Sequence, residues 1–279
     1  FTPKKIHAYL RAAIQLVFFL FLPSAFTTAF SGIKSVLTQI GAGNPIAWSS
    51  FLTVLLALCA YTIVFGRFFC GYACAFGTLG DAVHSLYLFL CKKCKKKPLL
   101  LKKSWKKPLS YVKYAVLLAV VLLCFLGVYG DLTGWSPWDV FSMLRSGNFK
   151  VGAYWLGCIL LVLILVGMVF CERFFCRFLC PMGAVFSLLP ILPFFSVRRK
   201  REKCAKGCTA CEKVCPSDLS LPEDGSWNVS GDCFQCQKCL EICPKKNAKS
   251  SIRNFRGNEI WFTLLRAVVL AAVLILAGI

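Results

Sequence analysis

The sequence alternates long apolar stretches with short polar segments, and hydrophobic residues make up 58% of its 279 positions. A helix needs about 20 mostly apolar residues to cross the hydrocarbon core of a bilayer. We therefore expect five membrane helices, over Ala12–Ile33, Pro45–Gly66, Tyr114–Gly130 with an interfacial start at Leu109–Lys113, Val151–Cys171 and Glu259–Ile279. Arg266 lies inside the last one, and its long side chain can snorkel to the interface. The pattern predicts a polytopic membrane protein, and a start without Met is expected for a piece of a longer chain.

Basic residues are distributed unevenly around these predicted helices. The formal net charge is +21, and nine lysines lie within residues 91–107. Lys and Arg collect in the cytoplasmic loops of membrane proteins. Further basic clusters precede the first helix and follow the fourth, whereas residues 34–45 and 131–150 carry few cations. We therefore expect the N-terminus, the basic loop and the segment after helix four to face the cytoplasm. Topology accounts for the charge, so nucleic-acid binding is not expected and anionic lipid is an expected contact.

Two cysteine runs follow the fourth apolar stretch, and each ends in Cys-Pro. Their sequences are Cys204-x3-Cys208-x2-Cys211-x3-Cys215-Pro216 and Cys233-x2-Cys236-x2-Cys239-x3-Cys243-Pro244. In two-cluster ferredoxins the fourth cysteine of each such run ligates the other cluster. The spacing therefore predicts two [4Fe-4S] clusters, cluster A on Cys204, Cys208, Cys211 and Cys243, and cluster B on Cys233, Cys236, Cys239 and Cys215. A single run also suits zinc, but two in tandem favour iron–sulfur.

The segment that holds these runs has the opposite charge balance from the rest of the chain. Six carboxylates face three lysines within residues 204–243, and thiolate-bound clusters add negative charge. We therefore expect this segment to sit against the basic loop or on a basic soluble partner. Lipid headgroups remain an alternative contact for the lysines.

A second cysteine pattern recurs in the apolar part of the chain. Gly66-Arg-Phe-Phe-Cys70-Gly-Tyr-Ala-Cys74 aligns with Glu172-Arg-Phe-Phe-Cys176-Arg-Phe-Leu-Cys180 at an offset of 106 residues. Two predicted helices separate the copies, which predicts parallel repeats related by an axis along the membrane normal. Cysteines at i and i+4 share a helix face, so the pairs Cys70/Cys74 and Cys176/Cys180 are expected to bind a third iron–sulfur centre at the cytoplasmic edge. Arg67 and Arg173 would favour their thiolate forms. Close packing of small side chains is the alternative.

The remaining candidate residues carry weaker signals. With only two histidines, His7 and His84, a bis-histidine haem is not expected, and a polar interfacial role is favoured for His84. Cys91 and Cys94 lie among lysines that would lower their pKa; unpaired loop thiols are the default interpretation, and a redox dithiol or an extra cluster ligand is the alternative. The cysteines within apolar stretches are expected to behave as small apolar residues, namely Cys59, Cys124 and Cys158.

Paired membrane Cys-x3-Cys motifs, a proline after one of them (Pro181), and a double ferredoxin segment together resemble the NapH/NosR/CcoG-type membrane ferredoxins. The resemblance covers nearly the whole chain, although Ala75 stands where the family's first motif often has proline. It implies electron transfer in anaerobic or microaerobic bacterial membranes, linked to quinol oxidation, to reduction of periplasmic partners or, in one branch, to metal reduction during oxidase assembly.

These observations predict an all-α polytopic membrane domain of two parallel helical-hairpin repeats, with a small α+β double-cubane ferredoxin-like domain. The expected segments are 1–90 for the first repeat, 91–108 for the basic loop, 109–197 for the second repeat, 198–258 for the ferredoxin domain and 259–279 for the fifth helix. The expected function is electron transfer between the clusters and a quinone or an extracytoplasmic partner. A flavoprotein, a ferredoxin or a reductase is the expected protein partner. A metal-reducing assembly factor and a cluster-based redox sensor are the alternatives.

Overall fold

The computed structural model describes residues 3–130, 135–150, 152–192, 195–228, 230–252 and 259–279. Residues 131–134 of the predicted outer loop and residues 253–258 before the last predicted helix lie outside these ranges. The described helices are α1 Pro3–Phe21, α2 Ala25–Gly41, α3 Ser50–Phe65, α4 Phe68–Tyr72, α5 Ala75–Lys93, α6 Lys103–Leu109, α7 Val112–Phe125, α8 Pro137–Arg145, α9 Trp155–Phe170, α10 Pro181–Leu188, α11 Ala210–Lys213, α12 Lys238–Ile242 and α13 Glu259–Leu276. The described strands are β1 Phe195–Lys200, β2 Asp224–Trp227 and β3 Lys249–Ile252.

Within the described residues, three stretches are long and apolar enough to cross a membrane, namely Ser104–Phe125, Gly152–Phe170 and Glu259–Leu276. They correspond to the third, fourth and fifth predicted helices. Many of their large apolar side chains are exposed, such as Leu118, Val162 and Val268. A surface of this kind is unfavourable in water and is stable against lipid tails. The helix over Ser50–Phe65 is apolar but shorter than predicted, because the chain becomes helical only at Ser50 and not at Pro45.

The prediction of one continuous helix over Ala12–Ile33 is wrong. Helix α1 ends at Phe21 and α2 begins at Ala25, with Pro23 in the break. Proline has no N–H to donate, and its ring clashes with the preceding helical turn. The two helices reach the length and hydropathy of a membrane span only when Ile6–Phe21 and Ala25–Gly41 are counted together.

The chain forms two compact units, each assembled from separate stretches. The first contains Phe1–Pro23, Leu56–Cys74 and Val185–Ala277, and the second contains Ser24–Leu55, Ala75–Ala184 and Gly278–Ile279. In the second unit α2 packs against α7, and α9 packs against both α5 and α8. The core of that unit is aromatic, with edge-to-face and tilted contacts among Phe26, Phe30, Phe76, Trp138 and Phe175. Such pairs contribute about 0.5–1.5 kcal/mol each beyond the area they bury.

The first unit contains both cysteine runs and a three-stranded antiparallel sheet in the order β2-β1-β3. Its small apolar core consists of Val197, Cys211, Leu221, Leu240 and Ala248. Helix α11 lies within the first run and α12 within the second, and the two short helices pack together. The segment therefore combines helices and strands, and it surrounds its cysteines with apolar side chains.

Arg266 does not extend to an interface as its predicted snorkelling requires. Its side chain is 2% exposed, and its guanidinium donates to Ser250 Oγ at 2.7 Å and lies over the ring of Phe68. The backbone carbonyl of Arg266 also accepts a hydrogen bond from the Tyr61 hydroxyl at 2.9 Å. The guanidinium stays inside the unit because Ser250 on β3 accepts a hydrogen bond from it and the ring of Phe68 attracts its positive charge.

Candidate functional site

The predicted ligands of cluster A lie around one asparagine and one apolar core. The backbone N–H of Asn247 donates to Cys243 Sγ at 3.2 Å, and its side-chain Nδ2 donates to Cys204 Sγ at 3.3 Å. Cys243 also packs against the apolar core that contains Cys211. The structure therefore brings the last cysteine of the second run to the first run. Cys208 is half-buried, and its carbonyl accepts a hydrogen bond from Arg201 at 3.0 Å.

The predicted ligands of cluster B line a single cavity. Its wall includes all four of them together with Cys211, Pro216, Leu219 and Phe234, the four being Cys215, Cys233, Cys236 and Cys239. Cys215 belongs to the first run, so here the fourth cysteine of one run lies with the other run. Among the described residues, no group of three or more His, Cys, Asp or Glu side chains is spaced to hold a single metal ion.

The chemistry of these sulfurs fits a bound cluster. The pKa of Cys233 is raised to about 12, chiefly by loss of hydration on burial and to a smaller extent by the neighbouring thiolates. Burial likewise raises the pKa of Cys215 and raises the pKa of Cys239 well above its usual value. Several thiolates in one apolar cavity need positive charge, and a coordinating metal deprotonates its thiols outright. Soft thiolate donors of this kind bind zinc, copper(I) and iron–sulfur clusters.

The backbone after each Cys-Pro repeats the same local geometry. Cys215 Sγ accepts from the N–H of Leu219 at 3.4 Å, just as Cys243 Sγ accepts from Asn247 four residues on. Asp218 and Lys246, each third after its cysteine, have positive φ of 52° and 49°. A non-glycine residue in this region costs about 1–2 kcal/mol. The unfavourable backbone directs an N–H toward each sulfur, and such bonds tune the potential of an iron–sulfur cluster.

Arg199 is a functional residue that the sequence did not single out. It is 2% exposed, donates from Nη1 to Cys211 Sγ at 3.0 Å and donates from Nη2 to the Leu221 carbonyl at 2.8 Å. Glu223 lies 3.9 Å from the same guanidinium. The available signal was the alternation along β1, where Arg198 and Lys200 are exposed and the residue between them must point inward.

The membrane cysteine pairs are buried, but neither pair lies on one continuous helix as expected. Cys70 belongs to α4 and Cys74 follows its end, while Cys176 lies in a π-helical turn, Phe175–Leu179, and Cys180 follows that turn. New helices begin directly after each pair, at Ala75 and at Pro181. The first helical position suits proline and also accepts alanine. A helix therefore ends between the two thiols of each pair.

Both pairs nevertheless share one unusual hydrogen bond. The N–H of Cys74 donates to the carbonyl of Phe69 at 2.9 Å, and that of Cys180 donates to Phe175 at the same distance. Each bond spans five residues, as in a π-helix, a feature frequent at functional sites. Cys180 Sγ also accepts from the N–H of Gly183 at 3.2 Å. Cys70 and Cys74 belong to the first compact unit and the other pair to the second, so each geometry is described within its own unit.

The two arginines that precede these pairs have carboxylate partners. Arg173 forms a two-pronged ion pair with Asp81, with distances of 3.0 and 2.6 Å. Arg67 lies 3.5 Å from Asp232 and stacks over the ring of Phe234. Both guanidinium groups are buried, and a buried charge is stable only when it has a partner such as these carboxylates.

Within the first unit, the turn that carries Cys70 and Cys74 contacts the second cysteine run. A Cβ at Gly71 would overlap the carbonyl oxygen of Phe234, so only glycine permits this approach. Side chains of helix α1 form hydrogen bonds to both sides of this contact. Gln15 donates to the Gly71 carbonyl at 3.1 Å, and Arg11 donates to the Cys236 carbonyl at 2.8 Å and to Glu241 at 3.0 Å.

Three other candidate residues belong to the second unit. His84 is buried on α5, and its Nδ1 is 3.0 Å from the carbonyl of Val169, a structural contact. Cys91 lies at the end of α5, and Cys94 follows it on the exposed surface.

Comparison with known proteins identifies the class. A family described as a 4Fe-4S binding domain matches residues 47–108 and 153–201, so each match contains one membrane cysteine pair. An uncharacterized protein of Methanocaldococcus jannaschii is 30% identical over 84% of this chain and 90% of its own length. A second uncharacterized protein of that organism is 32% identical over 69% of this chain and 68% of its own length.

Named relatives agree with this match. The ferredoxin-type protein NapH of Haemophilus influenzae is 26% identical over 71% of this chain and 67% of its own length. No solved structure matches the chain significantly. The chain belongs to the NapH/NosR-type ferredoxin family, a membrane family with iron–sulfur clusters and a redox role. The resemblance expected from the sequence is thereby confirmed.

We expect Gly71→Ala to weaken the contact between the first cysteine pair and the second run. The added methyl group must displace the Phe234 carbonyl, and over-packing of this kind costs about 1–3 kcal/mol. Thermal unfolding of the purified full chain, followed by cluster absorbance, measures the loss. Gly152→Ala is the matched control, because a Cβ there meets open space. An equal midpoint for both variants would contradict the close approach.

Proposed function

We propose that this protein is a membrane-bound electron-transfer protein with two [4Fe-4S] clusters in residues 198–258, ligated as clusters A and B. The observation that carries the proposal is the exchange of fourth cysteines. Cys243 shares Asn247 with Cys204, and Cys215 lines the cavity of Cys233, Cys236 and Cys239. This arrangement is the one that two-cluster ferredoxins use. The ferredoxin-type name of the relative NapH supports the same role.

The protein controls the clusters through its own side chains and backbone. When bound, the clusters supply one-electron chemistry. The apolar residues of the small core exclude water, and backbone N–H groups at Leu219 and Asn247 donate to ligand sulfurs. Arg199 adds a positive charge beside Cys211. The N–H donors and the guanidinium favour the more negative, reduced state of a neighbouring cluster, whereas the exclusion of water disfavours it.

The path into the membrane domain begins, on this proposal, at cluster B. The loop that holds Cys233 and Cys236 contacts Gly71, which stands between the thiols of the first membrane pair. Arg11 and Arg67 donate to carbonyls in and beside this loop, and Gln15 donates to the Gly71 carbonyl on the other side of the contact. A rigid, closely packed contact suits electron transfer. The acceptor or donor beyond it is a quinone or an extracytoplasmic redox protein.

We further propose that residues 198–258 and the basic loop face the cytoplasm. The support is the concentration of Lys and Arg on one side of each predicted helix, which is the usual bias of cytoplasmic segments. Anionic lipid headgroups are expected to contact the lysines of residues 91–108.

The exchange of fourth cysteines predicts the result of paired substitutions. Cys243→Ser and Cys211→Ser should damage the same cluster, so their combination should lose about the same iron as either alone, roughly four atoms per protein. The combination of Cys243→Ser with Cys239→Ser should lose both clusters. Iron content and magnetic-resonance spectra of the anaerobically purified, reduced full chain measure this. If the pair Cys243/Cys239 behaves as one cluster and Cys243/Cys211 as two, the ligand assignment fails.

Arg199→Met should lower the reduction potential of cluster A. The buried guanidinium stabilises the reduced state, and loss of about 1.4 kcal/mol corresponds to roughly 60 mV for one electron. A redox titration of the full chain, monitored by magnetic resonance, provides the value. Arg198→Met removes an exposed charge from the same strand and serves as control. Equal shifts in the two variants would mean that only net charge matters.

We also propose that Cys70, Cys74, Cys176 and Cys180 hold an additional iron–sulfur centre. The support is the shared five-residue hydrogen bond at the second cysteine of each pair, together with a family match that covers each pair once. Cys74→Ser/Cys180→Ser should therefore lower the iron content below that of the wild type while clusters A and B keep their spectra. Cys59→Ser/Cys158→Ser, in two membrane helices, is the matched control. An unchanged iron content would leave the four thiols with a packing role.

A further inference from the structure

A basic pocket lies on the ferredoxin segment, on the side of cluster A. It is formed by two stretches that are distant in the sequence, one before the first cysteine run and one after the second. The lining residues are Arg198, Arg199, Lys200, Lys203, Gly225, Lys245, Lys246, Asn247 and Lys249. Seven of these nine residues are cationic, and none of the nine is a carboxylate. All of them lie within the first compact unit.

Strand pairing creates this concentration of charge. In the β1–β3 register Arg198 stands directly opposite Lys249. Like charges on directly opposed residues of neighbouring strands are destabilising. Gly225, with a φ of +88°, lets the Lys200 side chain lie against its backbone, since a Cβ there would come within 2.6 Å of Lys200 Cγ. The fold therefore holds cations together at a cost, which an anionic partner would offset.

The pocket reaches the ligands of cluster A through one residue. Asn247 lines it, donates from its backbone to Cys243 Sγ at 3.2 Å and donates from Nδ2 to Cys204 Sγ at 3.3 Å. Arg199, also in its wall, donates to Cys211 Sγ at 3.0 Å. A molecule seated in the basic pocket would therefore stand next to three of the four predicted ligands of that cluster.

The exposure of the cations indicates what kind of anion fits. Apart from Arg199, which is committed to Cys211 and to Leu221, every Lys and Arg of the pocket is exposed. A small anion is held by buried, oriented donors. A ring of exposed, long side chains is instead suited to steering and aligning a broad, oppositely charged protein surface. Glu223, whose side chain is 70% exposed, lies 3.9 Å from Arg199 of the pocket and 3.8 Å from Arg201.

We propose that the basic pocket is the docking surface for an acidic, soluble electron-transfer protein of the ferredoxin class, which exchanges electrons with cluster A. This inference rests on the proposed function and names the partner of the same clusters. The proposed partner is acidic, whereas the acidic balance of residues 204–243 led us to expect a basic one. The acidic residues of that segment do not line this pocket. In the transfer, the reduced partner cluster loses one electron and the oxidised cluster A gains it. No bond is formed or broken, and no proton moves.

The test measures how fast a reduced, acidic two-cluster ferredoxin reduces the full chain. The protein is placed in nanodiscs of zwitterionic lipid under anaerobic conditions, and cluster absorbance is followed by stopped flow. Lys245→Glu/Lys249→Glu should slow the second-order rate about tenfold at low ionic strength, with the difference lost at high salt. Lys206→Glu/Lys213→Glu changes the net charge equally with exposed residues outside the pocket, and it should change the rate little.

The possible outcomes separate this proposal from the function on which it rests. Dithionite must first reduce the clusters of all variants fully, and failure in the wild type would contradict the presence of the clusters themselves. Equal slowing in both double variants, or a wild-type rate independent of salt, would overturn the docking surface alone. An unchanged rate combined with weaker retention of phosphatidylglycerol by Lys245→Glu/Lys249→Glu would assign the pocket to lipid headgroups.

Discussion

The rest of the structure depends on how buried sulfurs are kept in their charged form. Burial raises the pKa of the thiols in the cavity of cluster B, and each thiolate raises the pKa of its neighbours. Iron supplies most of the compensating charge. The chain supplies the remainder through N–H donors after each Cys-Pro and through the Arg199 guanidinium at Cys211. The positive φ of Asp218 and Lys246 follows from this requirement.

The sequence predicted those parts of the site that depend on local spacing. The two cysteine runs and the three longest apolar stretches are periodic signals that need no knowledge of distant contacts. The break in the first helix was also available, since Pro23 stands inside it. The local geometry of the two membrane cysteine pairs could not be predicted from the sequence. A spacing of i to i+4 is typical of one helix face, yet a five-residue hydrogen bond ends the helix between the thiols.

Contacts between distant segments account for what the sequence did not predict. Gly71 had a helix-packing explanation, whereas its role is to admit the Phe234 carbonyl from a loop far along the chain. Arg199 belonged to a cluster assigned to membrane topology, whereas β1 turns it toward Cys211. For both Gly71 and Arg199 the residue type suited two roles. Only the contact between segments that are distant in the sequence decided between the roles. Long-range pairing is also where propensity carries the least information.

The basic residues therefore serve at least two physical purposes. Those of the loop at 91–108 follow the apolar stretches and suit the membrane surface. Arg198 and Lys249 face each other across the β1–β3 strand pair, a position at which membrane topology requires no charge. The orientation of a protein in the membrane depends on how many cations a loop carries, and it does not depend on whether those cations lie next to each other. Electrostatic docking does require the cations to lie close together, because the potentials of separate charges add only over about a Debye length, ~8–10 Å. The geometry, more than the net charge, is the reason why we propose the pocket as a recognition surface.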